Sequence, residues 1–324
     1  MEKLYLLTHE NTDPYFNIAS EEYLLTEKKE SFIYLWKNAP SVIVGRNQNT
    51  LQEVNLGYTT KKGIKTVRRL TGGGAVYHDL NNVNYTVITP YDKEVNSYLY
   101  FTTPIIEYLN SIGINADFTG RNDITIDGKK ISGNAQTIKG DRILHHGTLL
   151  FKSDLDALTN ALKPNKVKME SKGIKSVRSR VTNISEYLGK DIGIDEFYQD
   201  LINYFKKNTI EYKLTEEDIK NINKLASEKY STYEWNIGKS PKGKNRFDGR
   251  FNFGTITITF DTIDGKLKNV EIFGDYFAKK DLTELSNKLC DIRFSFEDVK
   301  SVLVAIDEYI EGADGEEIAK KIFE

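Results

Sequence analysis

The sequence predicts a large α/β (α+β) domain followed by a small α+β domain, and three observations carry that reading. The chain has 324 residues, above the size at which a single hydrophobic core usually stops growing. Strand-like and helix-like segments alternate through its first half. A stretch rich in lysine, glycine and serine, KYSTYEWNIGKSPKGKNRFDGR from Lys229 to about Arg250, then interrupts the pattern and reads as a loop near a domain boundary. The division is set at residues 1–245 and 246–324.

Taken in order, NTDPYFNIASEEYLLTEKK reads as a helix with Asp13 as N-cap, Pro14 at the first helical position and lysines closing the end. SFIYLW and SVIVG read as strands separated by an Asn-Ala-Pro turn, and NYTVITP as another. Residues 97–111 have helical character. DITIDGKKIS (123–132) is a hairpin around Asp127-Gly128, a pair favoured in type I′ turns. HHGTLLF reads as a strand, and helices are expected over 154–162, 194–207 and 215–229. Beyond the loop, TITITF alternates strictly, Asp264-Gly265 makes a second hairpin turn, and NVEIF returns. Val299, Val302, Ile306 and Tyr309 fall at helical spacing over 297–310. KKGIKTVRR (61–69) and SKGIKSVRSR (171–180) echo each other as two basic loops that could face one anion, although their flanks do not match.

A formal net charge of −2 argues against a protein that coats nucleic acid or an anionic membrane. One cysteine, Cys290, allows no internal disulfide and no four-cysteine metal site, which fits a reducing, cytoplasmic setting. Cys290 ends an amphipathic helical stretch and is expected to be a buried structural thiol. No segment approaches the roughly eighteen apolar residues of a membrane span. The amino-terminal MEKLYLLTHENTDPYF has only a short apolar run and no small-residue cleavage site, so secretion is not expected.

The chemistry concentrates in RRLTGGGAVYHDL (68–80). Glycine loses more conformational entropy on folding than any other residue, so Gly72, Gly73 and Gly74 must answer a local need. Two readings stand: a tight turn, or a run of backbone N–H groups cradling an anion, with Arg68 and Arg69 supplying charge. The glycine spacing is neither a Walker loop nor a dinucleotide fingerprint. Three of the four histidines lie in two segments, His78 after the glycines and His145-His146 before Gly147-Thr148. Their spacing matches no common zinc site, and they are either structural imidazoles or part of a site. Lys130 follows the hairpin turn, where alternation puts either it or Lys129 on the solvent face; the small SGN segment beyond it leaves space beside it. Asn122 and Asp123 in GRND can hold a magnesium ion or cap a turn.

In combination, DPYFNIASEE, VGRNQN, RRLTGGGAVYHDLNNVNYT, GRND, GKKISGNA, HHGTLL and GIKSVRSRVTNI resemble the lipoate–protein ligase A family, in order and over most of residues 13–184. The carboxy-terminal part looks like the small accessory domain of its two-domain members. The resemblance implies a catalytic domain of mixed β-sheets flanked by helices, related to biotin protein ligases. It implies an ATP- and Mg2+-dependent reaction in which lipoate becomes lipoyl-AMP and the lipoyl group passes to a lysine of an acceptor domain. Acceptors would be E2 subunits or proteins of the glycine cleavage H type. Lys130 takes the central catalytic role by this resemblance. Glu21, Arg69, Gly74, Val76, His78 and His146 would form the lipoate site. Gly72, Gly73, Tyr77, Asn122, Asp123, Lys130, Thr148 and Arg180 would form the ATP site, Asn122 and Asp123 holding magnesium. The loop from Lys175 to Arg180 would close over the adenylate.

The chain departs from some relatives in having Thr71 for serine and SGNAQ where others have SGSA. An acyl transferase of the same fold, moving octanoyl or lipoyl groups through a thioester, would need a cysteine in the large domain, and there is none. Biotin ligase is disfavoured by the missing Gly-Arg-Gly-Arg signature. A non-catalytic lipoate-binding relative is disfavoured by the intact Lys130, triple glycine and HHGT.

Overall fold

The computed structural model describes residues 3–162, 180–238 and 244–323. Its large part is built from β1 (Leu4–Thr8), β2 (Ser31–Trp36), β3 (Ser41–Val44), β4 (Lys65–Arg68), β5 (Val76–His78), β6 (Asn82–Pro90), β7 (Ala116–Thr119), β8 (Asp123–Ile126), β9 (Lys129–Lys139), β10 (Arg142–Leu150) and β11 (Ile210–Tyr212). Eight of these strands form one mixed sheet in the order β11-β1-β2-β6-β10-β9-β8-β7. β1 runs parallel to both β2 and β11, and the remaining pairs are antiparallel. A second sheet, β4-β3-β5, stands beside it.

β2 shows why SFIYLW is apolar at every central position. Phe32, Tyr34 and Trp36 pack on one face with helix α1 (Pro14–Glu27), while Ile33 and Leu35 enter the core on the other face. A strand covered on both sides has no solvent face to alternate with. α1 starts as its sequence requires: the Asp13 carboxylate accepts the Tyr15 N–H at 2.9 Å, with Pro14 at the first position. Ser97 caps the helix Tyr98–Ser111 in the same way. The 123–132 hairpin turns through Asp127 (φ 51°) and Gly128 (φ 73°), but its second strand continues to Lys139.

The carboxy-terminal unit pairs β12 (Asn245–Phe251), β13 (Gly254–Ile263) and β14 (Lys266–Gly274) as an antiparallel sheet against short helices. Three expectations need correction here. The stretch from Lys229 to Arg250 is not simply a loop: Ala226–Tyr230 and Glu234–Gly238 are single wide helical turns, and β12 is an edge strand. Charged residues on an unpaired edge resemble linker composition, which hid it. The helix over 297–310 ends at Leu303, and Ile306–Glu308 forms a separate 3-10 turn; Val299, Ile306 and Tyr309 keep helical spacing because all three reach one core. Cys290 is half-buried rather than buried.

The carboxy-terminal unit sits over the glycine segment. Gly274 N–H donates to the Asn47 carbonyl at 2.7 Å and Gly73 N–H to the Tyr276 carbonyl at 3.2 Å. The Arg121 guanidinium donates to the Phe253 carbonyl at 2.8 Å and lies over the Phe277 ring. No helix among the described residues is long and apolar enough to cross a membrane.

Candidate active site

A cavity of about 160 Å3 crosses one face of the large sheet. Its floor takes Trp36 from β2, Asn84 from β6, His146 and Thr148 from β10, and Gly133 from β9. From β2 to β9 is three strand spacings, roughly 14 Å. The β2 end is apolar, with Ile18, Ile43 and Val76 around Trp36; the β9 end carries Asn122 and Lys130. Gly73, Gly74 and Phe277 close the roof.

A bulge aims Lys130. Pairing shifts by one residue between Ile124↔Ser132 and Thr125↔Lys130. Ile131 is thereby left wholly buried in the core of the opposite face, and Lys130 shares the cavity face with Gly133. The Lys130 ammonium lies 2.7 Å from an Asp123 carboxylate oxygen and is about one-third exposed. Its backbone is pinned on the other side: its N–H donates to the Arg180 carbonyl at 2.8 Å, and its carbonyl accepts from Thr182 N–H at 3.0 Å. A β-carbon on Gly133 would fall 2.7 Å from the ammonium nitrogen, so the small residue keeps that space open.

The glycine segment is an arginine-clamped turn rather than an open anion cradle. Arg69 is buried and donates to the carbonyls of Ile43, Gly72 and Gly74 and to the Thr71 hydroxyl. Arg68 points away from the cavity and donates to the carbonyls of Gly45, Arg46, Gln48 and Trp235 and to Thr50 Oγ1. Burial lowers both guanidinium pKa values to about 10, yet both remain cations held entirely by neutral acceptors. The three glycines answer different needs. A β-carbon on Gly72 would lie 2.4 Å from the Tyr276 carbonyl oxygen, Gly73 has φ +87°, and Gly74 faces open space.

Behind the floor runs a directional chain. Arg69 Nε–H donates to Thr71 Oγ1, which lies 2.8 Å from His146 Nε2; His146 Nδ1 lies 2.8 Å from Glu21 Oε1, and Thr86 Oγ1 donates to the same oxygen. The carboxylate can only accept, so His146 carries its proton on Nδ1 and accepts from Thr71 at Nε2. His78 is buried in the cavity wall; burial first, then Arg69 and His146, hold its pKa down to about 3.

Arg69, Gly73, Gly74, Val76, His78, Asn122, Lys130, His146 and Thr148 therefore meet at one cavity, with Asp123 on Lys130 and Glu21 one step behind His146. Tyr77 does not join them, because alternation along β5 turns it into the core with Val42, Val44 and Val54. Gly72 lies against Tyr276 instead of the cavity. Arg180 is exposed and touches Lys130 through its backbone, and the rest of the Lys175–Arg180 loop lies outside the described residues. So does most of the second basic echo; the first is not a loop but a helix end, Gly63 and β4. Sequence reading missed Trp36, whose strand looked merely apolar, and Phe277, which reaches the site only through tertiary docking. No group of three or more potential metal-ligating side chains occurs among the described residues.

Comparison with known proteins agrees with this architecture. Residues 13–206 match the lipoyl protein ligase A/B catalytic domain, and residues 240–322 match the bacterial lipoate protein ligase C-terminus. Lipoate–protein ligase 1 of Staphylococcus aureus is 45% identical over 303 residues, covering 92% of each chain. The crystal structure of P. falciparum LipL1 in complex with lipoate superposes with a TM-score of 0.80 at 28% identity, over 98% of each chain. A lipoate–protein ligase A bound with ATP gives 0.62 at 30% identity, over 74% of this chain and 99% of that one. With both its catalytic and its carboxy-terminal segments matched, this chain belongs to the lipoate–protein ligase family.

Proposed function

We propose that the cavity carries both half-reactions of an ATP-dependent lipoate–protein ligase, with Lys130 at the reacting atoms. The observation that supports this is one ammonium, held by one carboxylate, at the end of the slot opposite its apolar Trp36 end. In the first half-reaction a carboxylate oxygen of lipoate attacks the α-phosphorus of ATP. The bond from that phosphorus to its bridging oxygen breaks, and pyrophosphate leaves lipoyl-AMP. In the second, the amine of an acceptor lysine attacks the acyl carbonyl, the bond to AMP breaks, and the amine loses its proton as the amide forms. An ammonium between acyl oxygen and phosphate would oppose the charge that builds in both steps.

Arg69, Gly74, Val76, His78 and His146, with Glu21 orienting His146, form the acyl slot in this reading. Gly73, Asn122, Asp123 and Thr148 face the nucleotide, while Gly72, Tyr77 and Arg180 support it through packing and backbone. Magnesium fits as an ion held by few protein groups. Asp123 supplies a carboxylate and Asn122 keeps Oδ1 free, because its Nδ2 donates to the Asn134 carbonyl at 2.7 Å. The ion would neutralise phosphate charge. Residues 1–245 then form the catalytic domain and 246–324 an accessory domain, acting in the cytoplasm on lysines of E2 or glycine cleavage H type domains.

The test is lipoate-dependent pyrophosphate release from ATP without any acceptor. Lys130→Ala should lower the rate about 100- to 1000-fold. Release that survives the substitution would remove Lys130 from the chemistry. No release by the unaltered protein would remove the ligase reading.

A further inference from the structure

His78 is held by a hydrogen-bond chain that decides where its proton sits. Asn17 Nδ2 lies 3.1 Å from the Asn11 carbonyl and 3.0 Å from the Lys37 carbonyl, groups that only accept, which identifies it as the amide nitrogen. Its two hydrogens serve those carbonyls, and the third neighbour, at 2.9 Å, is the Asn38 oxygen, because a second NH2 facing the first would repel it. Asn38 consequently turns its Nδ2 toward His78 Nδ1 at 3.2 Å and donates to it. Tyr34, which donates to Asn17 Oδ1 at 3.2 Å, and His9, 2.8 Å from the Tyr34 hydroxyl, carry the chain outward. Asn17, Asn38 and Tyr34 are fully buried, so the chain has one arrangement.

With Nδ1 accepting, the neutral ring carries its proton on Nε2. Burial, Arg69 and His146 prevent a second proton from adding near neutral pH. Nε2–H has no partner, and His78 is 4% exposed in the cavity wall, beside Trp36 at a ring separation of 6.1 Å. Among the described cavity-lining residues it is the fully buried side-chain donor left unpaired; Trp36 Nε1 already donates to Thr86, and Arg69 to the glycine segment. An orphaned donor at the apolar end of a slot, some three strands from Lys130, demands an acceptor from the far end of the ligand.

We infer that His78 is the residue that reads sulfur in the acyl group. Its Nε2–H donates to a sulfur of the five-membered disulfide ring when the carboxylate end lies at Lys130. Asn38 and Asn17 are positioning residues that fix the tautomer. This rests on the lipoate reading above. A thioether-type sulfur is a weak acceptor, but an all-carbon ring offers none and would leave the buried N–H unpaired. Discrimination therefore comes from the cost imposed on the wrong ligand.

The test uses 5-cyclopentylpentanoate, which keeps the ring and tail of lipoate and replaces both sulfurs by carbon. Binding of each acid is measured by calorimetry, and adenylation of each by pyrophosphate release. The unaltered protein should favour lipoate about tenfold in Kd and kcat/KM, and His78→Phe should bring that ratio to about one. The unaltered protein alone can overturn the inference, by handling the two acids equally. A His78→Phe protein that weakens both acids by the same factor would overturn it too. Lipoate preference in binding without pyrophosphate release would leave the sulfur contact and remove the ligase reading. Release with no preference would do the reverse. Binding of neither acid would overturn both. In 15N spectra the unaltered His78 should show a protonated Nε2 and a bare Nδ1, and Asn38→Leu should mix the two forms; a bare Nε2 in the unaltered protein would sink the assignment.

Discussion

The two walls of the cavity use positive charge in opposite ways. On the glycine side, Arg68 and Arg69 are buried and direct their donors to backbone carbonyls and threonine hydroxyls. On the β8–β9 side, Lys130 is partly exposed and rests on one carboxylate, with space kept beside it by Gly133. A guanidinium fixed to several acceptors at once holds a backbone shape but cannot follow charge that develops on a substrate. An ammonium held once can exchange Asp123 for a phosphate or acyl oxygen. In the proposed reading, scaffold and chemistry are thereby assigned to different walls of one site.

The contrast breaks most easily at Arg68. Replacing it by methionine would remove its donors from the carbonyls of Gly45, Arg46, Gln48 and Trp235, leaving Gly45 with the Gln48 N–H. Thermal unfolding should show a loss of about 3 kcal/mol or more. Lys130→Ala, which removes an ion pair about one-third exposed, should change stability by no more than about 1 kcal/mol. If the two substitutions destabilise equally, the walls are not different in kind.

Gly133→Ala sharpens the comparison from the other side. Its methyl would displace the Lys130 ammonium, 2.7 Å away, and the far end of a lysine moves at little energetic cost. Stability should therefore hold within about 1 kcal/mol. Adenylation should fall about 10- to 100-fold, because an ångström of misplacement at a reacting centre is felt in the rate. A protein with both quantities unchanged would mean that Lys130 has room to spare, contrary to the geometry.

Local signals made much of this visible in the chain before any coordinates. Asp13-Pro14, Asp127-Gly128 and Asp264-Gly265 each encode a cap or turn within a few residues, and all three appear as expected. The resemblance gathered the cavity residues, but it could not separate His78 from Tyr77, because the face of a strand depends on which sheet the strand joins. Nor could it reveal that Arg68 points away from the cavity. Its partners lie between Gly45 and Asn236, and long-range carbonyl cages leave no mark in the pattern of residue types. β12 was lost for a related reason: an exposed edge strand has the composition of a linker until its partner is known.

The smallest effect tests the glycines themselves. Gly72 is required by the Tyr276 carbonyl and Gly73 by its positive φ, so both are explained within the protein. Gly74 has neither excuse: no atom lies within 4 Å of the β-carbon it lacks, and it lines the cavity. Its methyl would point where only a ligand can object. Gly74→Ala should leave thermal stability within about 0.5 kcal/mol, since no packed atom is displaced. The KM for lipoate should rise about three- to tenfold if the acyl tail lies against that backbone, the scale of one misplaced methyl group in a pocket. An unchanged KM would take the acyl tail off the glycine wall and leave the segment as scaffold alone, with Lys130 and the sheet floor as the whole of the reacting surface.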